Sequence, residues 1–547
     1  MVGAAGPQSG SAAAPKLPPV PLVLSLNSSK FGRNWTHLAT ASEKLTASGD
    51  LSTRQSEIRE DGRALPQVAA FLRRLWVQVT VISGVLLIPC FWHRRIVSSD
   101  LGSHLYNAWL AQLINHDDVT DMHLAYQWTN VLFDYMLSAA GAFVNLHTAE
   151  RIVVPICVLV FFWGGFALIS AATKRAPWFL TPFLAVVTYG WTFRLGLFNY
   201  YLSLGLAFFG IAIFWRGKGW ERALPLALVP LIVLAHPLGL LWMVAACAYV
   251  GIAEKIPAAF QWLLFLVSAA VVYAMRFYIL HHFGVQASLG SIRTFNGADQ
   301  VVLFGDRYNA LKTAVIVATL AMLAFDLLRR SRRNESLKPY LIPLQLYLII
   351  EFAVQMLPSG VTISPQLAAV AILTERLTSV AAILALCLLG AMLPSRWHLV
   401  ITGAIAAVFF VYVYQDTGVI NRMEVQAEQL VRTLPKDSRV MATIFPLPHS
   451  RVLIQHMIDR ACIGYCFSYG NYEPGTGLFR VRGDRDGAYN LGDYALAVEM
   501  EEGRYMVQPE DLPVYQVYQC TKSGTALCVA PLHADEENDA MGVYGRH

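Results

Sequence analysis

Long apolar stretches alternate with short polar connections between about residues 75 and 414. Runs with little or no charge occur at 75–92, 152–172, 176–193, 195–215, 223–253, 257–280, 313–328, 339–357, 377–393 and 398–414. Several approach the ~20 residues that a bilayer-spanning helix needs. The run 223–253 is too long for one span and is interrupted by His236-Pro237, so we divide it into a tight pair of helices. The pattern predicts an all-α polytopic membrane protein with about eleven transmembrane helices.

The two ends of the chain differ from this pattern. Residues 1–65 are rich in Ala, Pro, Ser and Gly and have no amphipathic period, which predicts a disordered tail. Residues 66–414 form the predicted transmembrane domain, in which residues 93–150 are a long first loop with surface helices. Residues 415–547 have a mixed, soluble type of composition with alternating stretches, which predicts a small α/β domain.

Composition and charge agree with a membrane protein and indicate its orientation. Hydrophobic residues make up 55% of the chain, charged residues 14%, and the mean hydropathy is +0.45. The net charge of +5 includes no basic domain, so a nucleic-acid partner is not expected. Lys and Arg concentrate in alternate connections, which places the N-terminus in the cytoplasm, the segment 128–143 flat on the outer surface and the C-terminal domain outside. We expect the cytoplasmic (inner) membrane of a bacterium.

Four of the eight cysteines lie in the predicted C-terminal domain: Cys462, Cys466, Cys520 and Cys528. An oxidising compartment would allow two disulfides, although the sequence does not give their connectivity. Zinc is the alternative ligand, but spacings of four and eight do not match the usual zinc knuckles.

Ionisable residues in or beside apolar spans are costly in hydrocarbon and usually face a cavity or a partner. In the predicted topology several of them share the outer level of the membrane with Asp100 and His104, at the start of the first loop. This shared level predicts one cavity. The residues concerned are Arg194, His236, Arg276, Glu351 and Arg376.

Such a cavity suits transfer of a sugar from a lipid phosphate, because cations can hold the phosphate and a carboxylate can deprotonate an acceptor hydroxyl. Arg376 and Arg276 are the candidates for the phosphate, since Arg keeps its charge when buried and binds phosphate bidentately. His236, Glu351 and Arg194 are further candidates for substrate binding. Asp100 is the candidate base, and His104 its candidate catalytic neighbour.

The segment Asp100-Leu101-Gly102-Ser103-His104, the surface stretch after it and Ala149-Glu150-Arg151 at the second span resemble the GT-C superfamily of polyprenyl-phosphate-sugar glycosyltransferases. The resemblance covers about residues 73–414 and is mainly architectural. It implies a lipid-phosphate-linked sugar donor, a lipid, glycan or protein acceptor, and contact with membrane lipids. It also implies that Asp100 is a base or a metal ligand. Asp117 and Asp118 are a second acidic element if a divalent metal is used; no cofactor is certain.

The sequence leaves other interpretations open. Asp100 could simply cap the helix that follows it, and His236-Pro237 could be only a turn. The chain could also be a transporter or flippase of a lipid-linked substrate, or an inactive scaffold with a surface-binding domain. The cluster Arg480, Arg482 and Arg485 could bind an anionic glycan or be a solvated face.

Overall fold

The computed structural model describes residues 75–286, 296–362, 372–483, 494–521 and 524–539. The tail predicted at residues 1–65 lies outside these ranges. The chain divides into two units, residues 1–81 and residues 82–547. The described part of the first unit is the beginning of one helix, and the contacts below belong to the second unit.

The described chain is mostly helical. In chain order the helices are α1 Leu75–Phe91, α2 Leu101–Asn115, α3 Leu132–Gly141, α4 Leu146–Thr173, α5 Thr181–Thr188, α6 Trp191–Leu195, α7 Phe198–Arg216, α8 Val229–Ala235, α9 Pro237–Ala253, α10 Ala258–His282, α11 Arg307–Arg332, α12 Lys338–Met356, α13 Leu373–Ala391, α14 Arg396–Val431, α15 Met457–Cys462, α16 Glu473–Thr476 and α17 Tyr494–Glu502. Short 3₁₀ helices occupy Trp178–Leu180, Gly219–Leu228, Ala298–Val301 and Pro509–Asp511.

Seven helices in the described chain are long and apolar enough to span a membrane, namely α4, α7, α10, α11, α12, α13 and α14; α1 and α9 are apolar but shorter. The apolar windows of α4, α7 and α13 are 67–72% buried, so these helices form the core. The window of α10 is only 6% buried, and its exposed side chains include Phe260, Leu266 and Phe277. An apolar surface of this extent is stable in hydrocarbon and not in water, which indicates membrane integration.

Two of the predicted spans are not continuous helices. The run 176–193 is divided among a 3₁₀ turn, α5 and α6, and Gly190 lies at the break before α6. The run before His236 is a 3₁₀ helix that contains Pro225, followed by the seven-residue α8. Proline lacks the N–H that a continuous α-helix needs, so the apolar run is interrupted. The prediction that each run is one continuous helix is therefore wrong, and the count of eleven transmembrane helices stays a prediction.

The basic residues assigned to alternate connections meet at one end of the helical bundle. Arg175 donates to the carbonyl oxygen of Gly390 at 2.9 Å, and Arg330 donates to that of Ala391 at 3.0 Å. Arg216, at the end of α7, donates to the carbonyl oxygen of Ser170 at 3.0 Å. This end, called the basic end below, is opposite the end that carries the first loop and the C-terminal part.

The strands are β1 Met122–Leu124, β2 Gly284–Gln286, β3 Gly360–Thr362, β4 Arg439–Thr443, β5 Phe467–Ser468, β6 Val481–Gly483, β7 Val514–Gln519 and β8 Leu527–Pro531. The C-terminal part contains a four-stranded sheet in the order β5-β4-β7-β8. The two pairs made by β4 are parallel, and β7 pairs with β8 antiparallel. Strands β1 and β6 join the first loop to the C-terminal part, and β2 pairs with β3.

All four cysteines of the C-terminal part form disulfides, Cys462 with Cys466 and Cys520 with Cys528. The possibility of two disulfides is therefore realised. A disulfide sulfur is not a thiolate ligand, so the structure does not support the zinc alternative.

Candidate functional site

Asp100 lies in the turn between α1 and α2, and this turn is hydrogen-bonded to the end of α6. The N–H of Asp100 donates to the carbonyl oxygen of Leu195 at 3.0 Å, and the guanidinium of Arg194 donates to the carbonyl oxygen of Val97 at 2.7 Å. Gly196 has a φ of 84°, and a Cβ at this position would lie 2.6 Å from the Asp100 nitrogen. Only glycine fits this close approach. The backbone around Asp100 is thus fixed by direct contacts.

The Asp100 side chain does not cap α2, because it forms no hydrogen bond with the helix N–H groups. The capping interpretation is therefore wrong. In the described part of the chain, the Asp100 carboxylate has neither a hydrogen bond nor an ion pair. It interacts electrostatically with His104, Arg376, His456 and Glu501. A half-exposed carboxylate with charged neighbours and no direct partner is available to a substrate.

His104 lies one helical turn after Asp100 and supplies a positive charge. Its Nδ1 is 2.7 Å from the Asp134 carboxylate of α3, and Asp134 also accepts from the Asn199 amide at 2.9 Å. Burial alone would lower the pKa of His104, but the Asp134 carboxylate outweighs it and raises this pKa to about 9. His104 is therefore an imidazolium at neutral pH, next to Asp100 on the same helix face.

The apolar helices contribute His236 and Arg376. The Nδ1 of His236 accepts from the Leu238 N–H at 3.2 Å and caps α9, while its Nε2 lies 3.2 Å from the Arg376 guanidinium. In the tautomer that accepts at Nδ1, Nε2 carries the hydrogen and cannot accept from Arg376. The Nε of Arg376 is also buried with no hydrogen-bond partner among the described residues. The guanidinium therefore keeps donors free for an anionic group.

Arg376 is held in place by Tyr200. The Tyr200 hydroxyl donates to the carbonyl oxygen of Arg376 at 2.8 Å, and the guanidinium carbon lies 5.8 Å from the centre of the tyrosine ring. Both contacts fix the beginning of α13 against α7. The cation is positioned before any ligand binds.

The C-terminal part contributes His456, which the sequence reasoning missed. A Cβ on Gly102 would lie 2.1 Å from the carbonyl oxygen of His456, so α2 packs directly against this backbone. The His456 ring is 2.8 Å from one oxygen of Asp459, and the Ser468 hydroxyl donates to the other oxygen. Burial alone would lower the pKa of His456, but Asp459 raises it to about 9. A second imidazolium therefore faces Asp100.

Two carboxyl groups of the C-terminal part complete the cluster. Burial raises the pKa of Glu473 to about 7 and that of Glu501 to about 7. Glu473 accepts from the Ser103 hydroxyl at 2.6 Å, and Glu501 interacts electrostatically with His456 and Asp100. Both groups can hold or release a proton near neutral pH, as acid–base chemistry requires.

Other residues predicted for the site have different partners. Arg194 is fully buried beneath the Asp100 turn, with its guanidinium carbon 5.2 Å from the Phe193 ring, so its contacts are those of a positioning residue. Arg276 contacts the carbonyl oxygen of Met356 at the end of α12. Glu351 hydrogen-bonds with Tyr347 on the same helix. These contacts do not join Arg276 or Glu351 to the cluster around Asp100.

Asp117 and Asp118 lie at the opposite end of α2, folded back against its last turn, and at a rise of about 1.5 Å per residue this helix separates them from Asp100 by roughly 20 Å. Both side chains are exposed. This distance prevents them from sharing a metal ion with Asp100. Within the described ranges, no three His, Cys, Asp or Glu side chains form a group that could hold a metal ion.

No family model, curated protein or solved structure matches this chain.

His456, Glu473 and Glu501 could not be found from local sequence signals. They lie far along the chain from Asp100. The helix α15, just after His456, packs against α2, Glu473 of α16 accepts from Ser103 of α2, and Glu501 lies on α17, which packs against β4. The one local hint is Gly102, because a glycine inside a helix often marks a close approach of another backbone.

Proposed function

We propose that this protein is an integral membrane glycosyltransferase of the GT-C type, which moves a sugar from a polyprenyl-phosphate carrier to a hydroxyl acceptor. The main support is that a carboxylate and a guanidinium of opposite charge interact electrostatically while each keeps atoms available for a ligand. Among the described residues, the Asp100 carboxylate has no direct partner, and neither has the buried Nε of the neighbouring Arg376. The carboxylate is suited to accept a proton, and the guanidinium is suited to bind a phosphate.

In the proposed reaction, Asp100 accepts the proton of the acceptor hydroxyl while that oxygen attacks the anomeric carbon of the donor sugar. The bond between this carbon and the phosphate oxygen breaks, and the phosphate leaves with the electron pair. Arg376 binds the phosphate and stabilises the charge that grows on it. His104 and His456 add positive charge around Asp100.

We further propose that the site faces the outer side of a bacterial inner membrane, with the N-terminus in the cytoplasm. The basic end supports this orientation, because positively charged connections are retained in the cytoplasm. Disulfides in the C-terminal part support it independently, since they persist in oxidising compartments. A base at the outer surface could reach a lipid-linked donor whose prenyl chain remains in the bilayer.

The test is transfer of radiolabelled sugar from a polyprenyl-phosphate-sugar pool in membranes that carry the full chain. Replacing Asp100→Asn keeps the size of the side chain and removes the base, and we expect about a 10²–10⁴-fold lower rate. The matched control is Asp117→Asn, an exposed acid beyond the other end of the same helix, which should transfer at the wild-type rate. Equal amounts of folded protein are confirmed for each variant.

Equal product from wild type and Asp100→Asn would overturn the role of Asp100. Absence of product from the wild type with every donor in the pool would count against the glycosyltransferase itself. Addition of EDTA followed by Mg²⁺ to the wild-type reaction measures directly whether a divalent ion takes part.

A further inference from the structure

A small polar pocket lies one turn along α2 from Asp100, between α2, α3 and the segment 473–481. It has a volume of about 30 Å³. One water molecule needs about 10–15 Å³ of such a cavity, so the pocket has room for a hydroxyl or hydroxymethyl group and not for a whole sugar ring. Its polar lining comes from His104, Gln127, Asn130, Asp134, Glu473 and Arg480.

The pocket lining carries two cationic residues, His104 and Arg480, and two carboxyl groups, those of Asp134 and Glu473. His104 pairs with Asp134 at 2.7 Å, whereas Arg480 donates to the neutral Ser138 hydroxyl at 2.7 Å and its guanidinium carbon lies 4.9 Å from the Tyr135 ring. With cationic and acidic groups in equal number, the pocket has little excess charge to attract an ion. It offers donors and acceptors for a neutral hydroxyl group.

Two exposed aromatic side chains stand on either side of a pocket-lining residue along the chain. Tyr126 is 73% exposed and Trp128 is 70% exposed, and their ring centres are 4.6 Å apart. The residue between them, Gln127, lines the pocket itself. Large aromatic faces beside a polar pocket match the apolar faces and hydroxyl edges of a sugar.

The aromatic pair is held on a fixed backbone. The Gln127 side chain donates to the carbonyl oxygens of Thr129 and Leu478, and the backbone carbonyl oxygen of Gln127 accepts from the Tyr135 hydroxyl at 3.2 Å. The N–H of Ala125 donates to the carbonyl oxygen of Arg480 at 2.8 Å, next to the β1–β6 pairing. A pre-ordered surface loses little side-chain entropy when a ligand binds.

We propose that this pocket and the Tyr126–Trp128 pair form a binding site for a neutral sugar of an oligosaccharide acceptor. One hydroxyl group of that sugar enters the pocket, and its ring lies on the aromatic pair. His104 belongs to the pocket and to the Asp100 cluster, so the acceptor runs along α2 towards the base. This inference rests on the proposed glycosyltransferase function and names its acceptor as a glycan.

The test measures binding, which does not depend on catalysis. The full chain in phosphatidylcholine nanodiscs is titrated separately with maltotetraose, cellotetraose, chitotetraose and mannotetraose. We expect saturable binding of at least one of them to the wild type and to Asp100→Asn, and about tenfold weaker binding to Trp128→Ala. The matched control is Phe143→Ala, an aromatic residue that is 90% exposed at the end of the same surface stretch and outside the pocket lining; it should bind as the wild type does.

The outcomes separate this inference from the proposed function. Binding with the expected variant pattern but without sugar transfer would support the site and count against the transferase. Absence of saturable binding to all four oligosaccharides, or equal weakening in Trp128→Ala and Phe143→Ala, would overturn the site. Nanodiscs with brominated lipid add a direct check: loss of lipid quenching in Trp128→Phe relative to wild type would assign Trp128 to the membrane surface and also overturn the proposal.

Discussion

Two groups of charges lie where the first loop meets the C-terminal part, and they differ in how their charges are paired. In the first, Arg460 forms ion pairs with Glu150 and Glu424, and it also donates to the carbonyl oxygen of Ile96 at 3.0 Å. In the second, the Asp100 carboxylate and the Arg376 guanidinium interact electrostatically, with no direct contact between them. We call these the closed cluster and the open cluster.

The difference separates structural charges from charges available for chemistry. The Glu150 and Arg460 side chains of the closed cluster are fully buried, and each forms several direct contacts that join the helical bundle to α15. Within the part of the chain that the structure describes, the open cluster keeps an acid without a direct partner near a cation with free donors, which is costly for folding but useful for binding and proton transfer.

Breaking the closed cluster should destabilise the protein strongly. Arg460→Met leaves Glu150 and Glu424 buried without their shared cation, and we expect a loss of about 3–5 kcal/mol in the free energy of unfolding. The measurement is the denaturant midpoint of the purified chain in detergent. The control is Arg432→Met: Arg432 is 56% exposed and pairs with Glu428, so its loss should change stability by about 0–1 kcal/mol.

A rescue experiment sharpens this prediction. Glu150→Gln and Glu424→Gln, added to Arg460→Met, remove the unpaired negative charges and should restore part of the lost stability. Equal destabilisation by Arg460→Met and Arg432→Met would contradict the assignment of the closed cluster.

Changing the cation of the open cluster should affect activity and not stability. Arg376→Lys keeps the charge but loses the planar, bidentate group, and we expect about a hundredfold lower transfer rate. Arg276→Lys is the matched control, because Arg276 contacts the end of α12 and not the cluster; it should remain close to wild type. Equal losses in the two variants would remove the distinction between these arginines that the structure makes.

The Cys462–Cys466 disulfide closes the end of α15, the helix that supplies Asp459 to the open cluster and Arg460 to the closed one. Replacing both cysteines with serine should cost about 2 kcal/mol, because the disulfide closes a short loop and removes little entropy from the unfolded chain. Thermal unfolding with and without a reducing agent measures this effect. A variant as stable as the oxidised wild type would show that α15 does not depend on the bond.

Much of the fold is readable from the sequence because hydropathy is a local signal. The apolar runs indicate the candidate spans, and the charged connections indicate which helix ends meet. The broken runs at 176–193 and before His236 were predicted as continuous helices, since an apolar run looks the same whether or not Gly190 or Pro225 interrupts its backbone.

The site is only partly readable. Asp100 and His104 are neighbours on one helix, and His236 and Arg376 lie at corresponding depths of their helices, so topology alone predicts that they are close. His456 and Glu501 reach the same place through long-range packing, which leaves no local pattern. Arg276 shows the converse: a cation at the right depth can lie on a helix face that points elsewhere.

The smallest change, counted per pH unit, is expected in the pH dependence that the open cluster gives to the free energy of unfolding. Folding raises the pKa of His104 and of His456 from 6.5 to about 9, so the folded protein keeps protons that the unfolded chain loses. Their stabilisation is fully present below pH 6.5 and is lost as the pH rises through 9. Burial similarly raises the pKa of Glu473 and of Glu501 from 4.5 to about 7. The free energy of unfolding therefore also falls as the pH rises from 4.5 to about 7.

The free energy of unfolding should therefore fall with rising pH, by about 1.4 kcal/mol per pH unit for each additional proton held by the folded state. Chemical denaturation in detergent across this pH range measures the slope. His456→Gln should make the slope between pH 6.5 and 9 shallower, because it removes one of the two imidazoliums. The control His449→Gln changes a histidine whose side chain is 72% exposed and should keep the wild-type slope. Equal slopes in wild type and His456→Gln would show that Asp459 and Asp100 do not hold a proton on His456, and the open cluster would then lose one of its two imidazoliums.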